Sequence, residues 1–377
     1  MSLTLDTVIT RIEAAEITGK RPRVIGRNSH KGTHGRFVYE PAVRIHTDAG
    51  IAGWGWSKAT KRDAEAFIGA NVADLFDLDT GTIQSALIFD IPLWDLAGQL
   101  IAKPVYKLLG DQGPDLVPVY DGSIYIDEID LATGRDEGVG PMLNAVRMGM
   151  ATGFRAFKVK VGRGFKWMKE HAGMRRDIEV LSAIRDLVGP NITLMIDANN
   201  GYTPKQAKQI LSETRDCDIY WIEEPFHENI DDLLALKRHI EKQGLSTLIA
   251  DGEGSEDNHL EFKELVKAGC LDIVQFDFRQ YSLTKWKQYM PNFQDTGALA
   301  APHNFGSHLS GFYIPQFARG IGNFATSETD IMAMDGVIAS GYQMVDGFME
   351  LPAGPGFGLD LDEELFQQAM RNTGWSV

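Results

Sequence analysis

Cysteine is nearly absent: Cys217 and Cys270 are the only two in 377 residues. They are too few for a disulfide framework and form no metal-type pair, so a reducing, cytoplasmic location is the expectation. No apolar run approaches the roughly 18 to 20 residues that span a bilayer. The opening stretch, MSLTLDTVITRIEAAEI, lacks the basic start and continuous apolar core of a secretory signal. Basic charge is also scarce. The 37 Lys and Arg against 52 Asp and Glu leave a net charge of −15 at pH 7, which argues against a phosphate-binding surface. Neither nucleic acid nor membrane is an expected partner. No low-complexity linker or solenoid-type repeat interrupts the chain, and 44% hydrophobic residues suffice for a substantial core.

One local exception to the acidic balance is GKRPRVIGRNSHKGTHGR, Gly19 to Arg36. It is glycine-rich and basic, and reads either as a solvated loop or as a mobile lid carrying cations toward an anionic ligand. The stretch FVYEPAVRIHTDAGIAGWGWS alternates around Val43 and Ile45 and turns at Asp48-Ala49-Gly50, the pattern of a hairpin. A helical pattern follows in SALIFDIPLWDLAGQLIAKPVYKLLG, with Leu87, Ile91, Trp94, Leu96 and Leu100 available to a core and Pro104 and Gly110 as punctuation.

From about Val117 short apolar runs alternate with longer helical patterns: VPVYDG, FKVKVG, TLMIDAN, IYWIEEP, TLIADGE, DIVQFDF and ALAAPHN. Strands separated by helices pair in parallel, and continuously apolar strands belong to a sheet covered on both faces. Seven or eight such units within about 220 residues predict a (β/α) barrel. The tail PAGPGFGLDLDEELFQQAM returns to turns and a short helix.

The strand ends carry the chemistry. LMID ends in Asp197, YWIEEP in Glu223 and Glu224, and LIADGE in Asp251 and Glu253, at intervals of one strand-plus-helix unit. A parallel barrel brings such acids to one C-terminal rim. Converging carboxylates repel unless a cation sits among them, and all-oxygen ligation suits a hard ion such as Mg2+. Glu223 and Glu224 cannot both point inward, and register alone does not choose between them. Lys158 and Lys160, two apart in FKVKVG, share one strand face. If that face is interior, each ammonium depresses the other's pKa toward that of a competent base. His303 follows an apolar strand, and Asp277 on the preceding strand is placed to orient its imidazole. His308 lies further from the strand end. Glu328 stands at the end of the last strand, where it can donate a proton or a hydrogen bond. A cation, a lysine on one wall and a histidine on another suit abstraction of a proton α to a carboxylate.

These residues resemble the enolase superfamily and, within it, the mandelate racemase subgroup, over nearly the whole chain. The resemblance rests on KVK at Lys158–Lys160, the Asp197, Glu223 and Glu253 series, the Asp277–His303 pair and the terminal PGFG turn. It implies an α/β fold: a (β/α)7β modified TIM barrel over 117–330, an N-terminal α+β capping domain over 1–116, and a segment 331–377 that returns to the cap. It implies one Mg2+ per subunit on Asp197, Glu223 and Glu253, with Glu223 as the liganding member of its pair. Lys160 would be a base whose pKa Lys158 depresses, and His303 the second acid/base with Asp277 behind it. Glu328 would help stabilise the enediolate, and Asn199 would neighbour metal and substrate. The capping segments Lys20–Phe37 and Gly53–Thr60, with Lys31, His34 and Trp54, would choose the substrate, and homo-oligomers such as dimers or octamers are expected.

The chain also departs from the family pattern. The Gly-Gly that commonly follows the acid at Asp277 is replaced by DFRQYSLTKW, and Gln280 stands where a lysine serves the muconate-lactonizing and dipeptide-epimerase subgroup. The segment RGFKWMKEHAGMRRDIEV after the lysine pair is longer than in mandelate racemase. Dehydration of a sugar acid to a 2-keto-3-deoxy acid is the first expectation, because a polar, cationic lid suits a polyhydroxylated anion. A racemase or epimerase of another carboxylic acid is the alternative. A non-catalytic binding protein is disfavoured by the intact lysine, histidine and ligand positions.

Overall fold

The hairpin pairs strands Gly35–Thr47 and Ala52–Trp56 antiparallel, with Ile45 opposite Gly53, and Gly50 adopts the left-handed turn conformation. The computed structural model describes residues 4–129, 133–254, 259–293 and 295–377. A long strand, Ile9–Ile25, lies beside Gly35–Thr47 in the same sheet. Helix Asp90–Ile101 packs against the hairpin, burying Ile91, Trp94, Leu96 and Leu100; Leu87 is only half-buried. The close approach depends on two missing side chains. A Cβ at Gly53 would lie 2.3 Å from the Leu96 nitrogen, and one at Gly55 2.5 Å from Ile91 Cγ2.

The alternating region forms a barrel of eight parallel strands: Leu116–Ile124, Ala156–Lys160, Thr193–Asp197, Ile219–Glu223, Leu248–Asp251, Ile273–Val274, Leu299–Ala300 and Ser327–Thr329. The last pairs with the first, Glu328 beside Tyr120, and so closes the ring. Helices such as Gly140–Ala151, Glu170–Val188, Pro204–Glu213 and Ile230–Gln243 connect successive strands. Pro204 begins its helix behind Thr203, which caps it reciprocally with Gln206. Tyr120, Met195, Trp221, Ala250, Ile273 and Ala301 form an apolar inner layer that fills the barrel's axis.

The chain's last part ties the barrel to the cap. Phe348–Glu350 pairs antiparallel with the first barrel strand. Ala333–Met334 and Trp375–Ser376 both pair with Ile9–Ile25 in the cap sheet. Arg44 of the cap meets Glu363 of helix Glu363–Thr373 at 2.7 Å. The architecture is a modified TIM barrel with an N-terminal α+β cap completed by the C-terminal tail.

Candidate active site

Period-two alternation along the barrel strands decides which side chains reach the rim. Met195 and Trp221 belong to the inner apolar layer, so Asp197 and Glu223, two residues on, point to the same interior one layer higher. Ala301 places His303 in the same way. Glu223, rather than Glu224, therefore faces the axis. Glu224 has already left the strand in a left-handed conformation, and its carboxylate accepts from Asn199 Nδ2 at 2.9 Å and Asn200 Nδ2 at 3.3 Å.

Both lysines are buried inside the barrel. Lys158 Nζ lies 2.6 Å from Glu223 Oε1, 2.9 Å from Glu328 Oε1 and 3.6 Å from Asp197 Oδ2. Lys160 Nζ donates to Asp197 Oδ2 and stands 5.2 Å from the Tyr125 ring. Burial alone would lower both ammonium pKa values, but Glu223 and Glu328 raise that of Lys158, and Asp197 raises that of Lys160. The expected depression of Lys160 is therefore corrected for this arrangement: carboxylates in contact outweigh a like charge two residues away. Burial pushes Asp197 up, yet the two lysines hold it at about 2. Glu223 is raised to about 8 by burial and by the charge of Asp197.

Across the rim, His303 Nδ1 is 3.0 Å from Asp277 Oδ2, and the two residues bridge as neighbouring parallel strands do. Asp277 also caps the helix Phe278–Tyr281, accepting from the Arg279 and Gln280 amides at 3.0 Å each. DFRQYSLTKW, where the Gly-Gly is missing, thus makes a helical turn on the catalytic aspartate candidate, followed by helix Leu283–Tyr289. His303 Nε2 lies 3.3 Å from Glu253 Oε2. Burial would lower the histidine's pKa, but Glu253 and Asp277 raise it to about 9. Glu328, held by Lys158 and by the Asn304 amide at 2.8 Å, links the two walls.

The three acids do not stand as one preformed cluster. Among the described residues, no three carboxylate, imidazole or thiol groups are spaced to hold an ion. Asp197 and Glu223 are drawn onto the lysines, and Glu253 toward His303. The donor chemistry nevertheless fits a hard cation. Asn199 Oδ1, Asp251 Oδ2 and Gln275 Oε1 are buried oxygens without hydrogen-bond partners, and oxygen donors suit such an ion.

The capping residues divide. His34 bonds the Gly26 carbonyl through Nδ1 at 2.8 Å and packs on Tyr125 and Phe305. Burial lowers its pKa, and the Tyr125 ring it packs on is the one that lies 5.2 Å from Lys160 Nζ. Lys31 is exposed. Trp54 is a correction: it is buried, and its indole donates to the Leu359 carbonyl at 3.0 Å beneath the C-terminal segment. The basic stretch is likewise not a free lid. Arg21 pairs with Asp330 and Arg23 with Asp127, each at 2.7 Å, and Arg27 donates to the Ile129 carbonyl at 2.6 Å. These cations are spent on barrel loops rather than held out to a ligand.

Sequence reasoning missed several participants. Gln275, which donates to Glu223 Oε2 at 2.8 Å, was available from its inward register two residues before Asp277. Asn304 was signalled by following His303. Tyr125 carried no local signal, because its partners His34 and Phe305 are distant in sequence.

Residues 142–365 match the family described as enolase C-terminal domain-like. The 3,6-anhydro-α-L-galactonate cycloisomerase of Streptomyces coelicolor is 30% identical over 279 residues, covering 73% of this chain and 69% of that protein. A crystal structure of galacturonate dehydratase from Geobacillus sp., with D-galacturonate and 5-keto-4-deoxy-D-galacturonate, superposes with a TM-score of 0.92 at 35% identity, covering 99% of each chain. A mandelate racemase/muconate lactonizing protein from Geobacillus sp. Y412MC10, complexed with magnesium and tartrate, gives a TM-score of 0.92 at 34% identity over 100% of this chain and 98% of that one. A barrel with acids and lysines on one wall of its rim and an Asp–His pair on the other, matched in sequence and fold to these proteins, makes the chain a member of the enolase superfamily, in its mandelate racemase subgroup.

Proposed function

We propose that this protein dehydrates a sugar acid, removing the proton α to its carboxylate and expelling the β-hydroxyl as water to leave a 2-keto-3-deoxy acid. The observation that carries the reading is the placement of Lys160 and the Asp277–His303 pair on opposite walls of one buried, acid-lined rim. Asp197, Glu223 and Glu253 would hold one Mg2+, whose chemistry when bound is electrostatic stabilisation of the negative charge that builds on the substrate carboxylate. Carboxylates committed to a cation would no longer raise the lysines' pKa values, so the repulsion between Lys158 and Lys160 would favour a neutral Lys160.

Lys160 takes the α-proton through Nζ, and the C–H electrons pass into the enediolate. The Lys158 ammonium stabilises that charge from the base's side, and Glu328 holds Lys158 in place at 2.9 Å. Asp277 accepts from His303 Nδ1–H and fixes the ring so that Nε2 faces the cavity. As the β C–O bond breaks, His303 delivers a proton to the departing hydroxyl, and the enol then becomes the ketone. Asn199 and His34 are the nearest candidates for substrate hydroxyls, with Lys31 at the outer edge.

The likeness to galacturonate dehydratase over 99% of both chains supports a hexuronate as the first substrate to test. The cycloisomerase relative supports the isomerase alternative, in which the same two residues exchange the α-proton without losing water. A cytoplasmic homo-oligomer, a dimer or octamer, belongs to the same reading, supported by the family resemblance and by two buried free cysteines. The test is a panel of mono- and di-acid sugars with purified protein and Mg2+, detecting 2-keto acids. A substrate turned over by the native enzyme and untouched by Lys160→Ala supports dehydration. No turnover by Mg2+-loaded enzyme contradicts it.

A further inference from the structure

One charged chain outside the rim touches the backbone of the base itself. Arg163 is fully buried. Its Nε donates to Glu128, and its Nη1 donates to Asp177 Oδ1 at 2.7 Å and to the carbonyl of Lys160 at 3.0 Å. The other oxygen of Asp177 accepts from the Gly162 amide at 3.0 Å and from the Tyr202 hydroxyl at 2.8 Å. Four segments therefore meet at one point. They are the stretch after the first barrel strand (Glu128), the turn directly after Lys160, helix Glu170–Val188 (Asp177) and the turn after Asp197 (Tyr202).

The capping domain seats on the same junction. Gly162 has φ +85, and a Cβ there would come within 3.1 Å of Ser29 Cβ; one at Gly201 would come within 2.7 Å. Buried Ser29 occupies the space these glycines leave and donates to the Asn199 carbonyl at 3.1 Å. Arg163 and Asp177 both lie in the segment RGFKWMKEHAGMRRDIEV that follows the lysine pair.

Two carboxylates and one guanidinium, all without solvent exposure, make a poor stabiliser; apolar residues of equal volume would serve at least as well. What the arrangement does supply is direction. A lysine has a flexible four-carbon stem, so its ammonium is aimed only as well as its backbone is fixed. Arg163 anchors the Lys160 carbonyl to a helix.

We propose that the Glu128–Arg163–Asp177–Tyr202 chain positions Lys160 for proton abstraction and couples that position to the seating of Ser29 from the cap. This rests on the reading of Lys160 as the base. Arg163 and Asp177 act through Lys160 and do not meet the substrate.

The deciding variant is Asp177→Asn. It keeps the side chain's size and leaves Arg163 paired one-to-one with Glu128, so the fold is retained. A single amide oxygen cannot serve both Arg163 and the Gly162–Tyr202 side. With Mg2+ and the substrate that the sugar-acid panel identifies, kcat falls at least tenfold, KM stays within twofold, and the isotope effect on kcat with α-deuterated substrate changes. A merely unfolded fraction would lower kcat without moving that isotope effect. Tyr202→Phe, which removes one hydroxyl only, shifts the same quantities less. Native kcat and isotope effect in both variants, with Lys160→Ala inactive, overturn the proposal. Activity retained in Lys160→Ala overturns the base assignment and the positioning role with it.

Discussion

Asp277 holds His303 with one carboxylate oxygen, at 3.0 Å from Nδ1, and caps the following helix with the other. The two functions respond differently to substitution. Asp277→Asn keeps an acceptor for the Arg279 and Gln280 amides, so stability changes by less than about 1 kcal/mol. The imidazole loses the charge that sets its tautomer, and kcat falls roughly 10²- to 10⁴-fold. Thermal unfolding and steady-state kinetics on one preparation separate the two effects.

On the proposed ligand set, Mg2+ held by Asp197, Glu223 and Glu253 would stabilise the fold by mass action. At a hundredfold excess over Kd the gain is about 2.7 kcal/mol. Chelation abolishes activity and lowers the melting temperature, and Glu253→Ala removes most of the Mg2+-dependent increment. A melting temperature independent of Mg2+ in the native protein contradicts the ligand assignment.

The cap hairpin rests on helix Asp90–Ile101 through Gly53, where an added Cβ would meet Leu96 backbone at 2.3 Å. Gly53→Ala is expected to cost roughly 1–3 kcal/mol by overpacking. Gly32→Ala, where nothing lies within 4 Å, stays within about 0.5 kcal/mol. Denaturant midpoints of the two variants make the comparison.

Burial lowers the pKa of His308 to about 4, with Nδ1 buried and unpaired beside Phe312. The folded protein thus binds fewer protons here than the unfolded chain, whose histidine titrates near 6.5. The contribution is fully present above pH 6.5 and is lost as pH falls toward 4, by at most about 3 kcal/mol because the ring is partly exposed. His308→Gln therefore flattens the stability profile between pH 6.5 and 4; an unchanged slope contradicts the buried neutral histidine.

The rim was legible in the sequence because two simple periods determine it. One strand-plus-helix unit separates successive acids, and alternation puts Lys158 and Lys160 on one strand face; register alone does not choose between Glu223 and Glu224, and the family resemblance supplies Glu223. The charge state of Lys160 was not legible, since it depends on which carboxylate its long stem reaches. Trp54 and the arginines of Gly19–Arg36 misled for a related reason. An exposed-looking cation or aromatic takes its role from partners such as Leu359, Asp127 and Asp330, about 100 to 300 residues away.

The central claim is a division of labour between Lys160 and His303, and solvent exchange in D2O tests it most directly. With the turned-over sugar acid and Mg2+, His303→Asn is expected to exchange the α-hydrogen for deuterium while forming no 2-keto acid, because the base remains and the acid is gone. Lys160→Ala is expected to do neither. Undiminished α-exchange in Lys160→Ala would contradict the account.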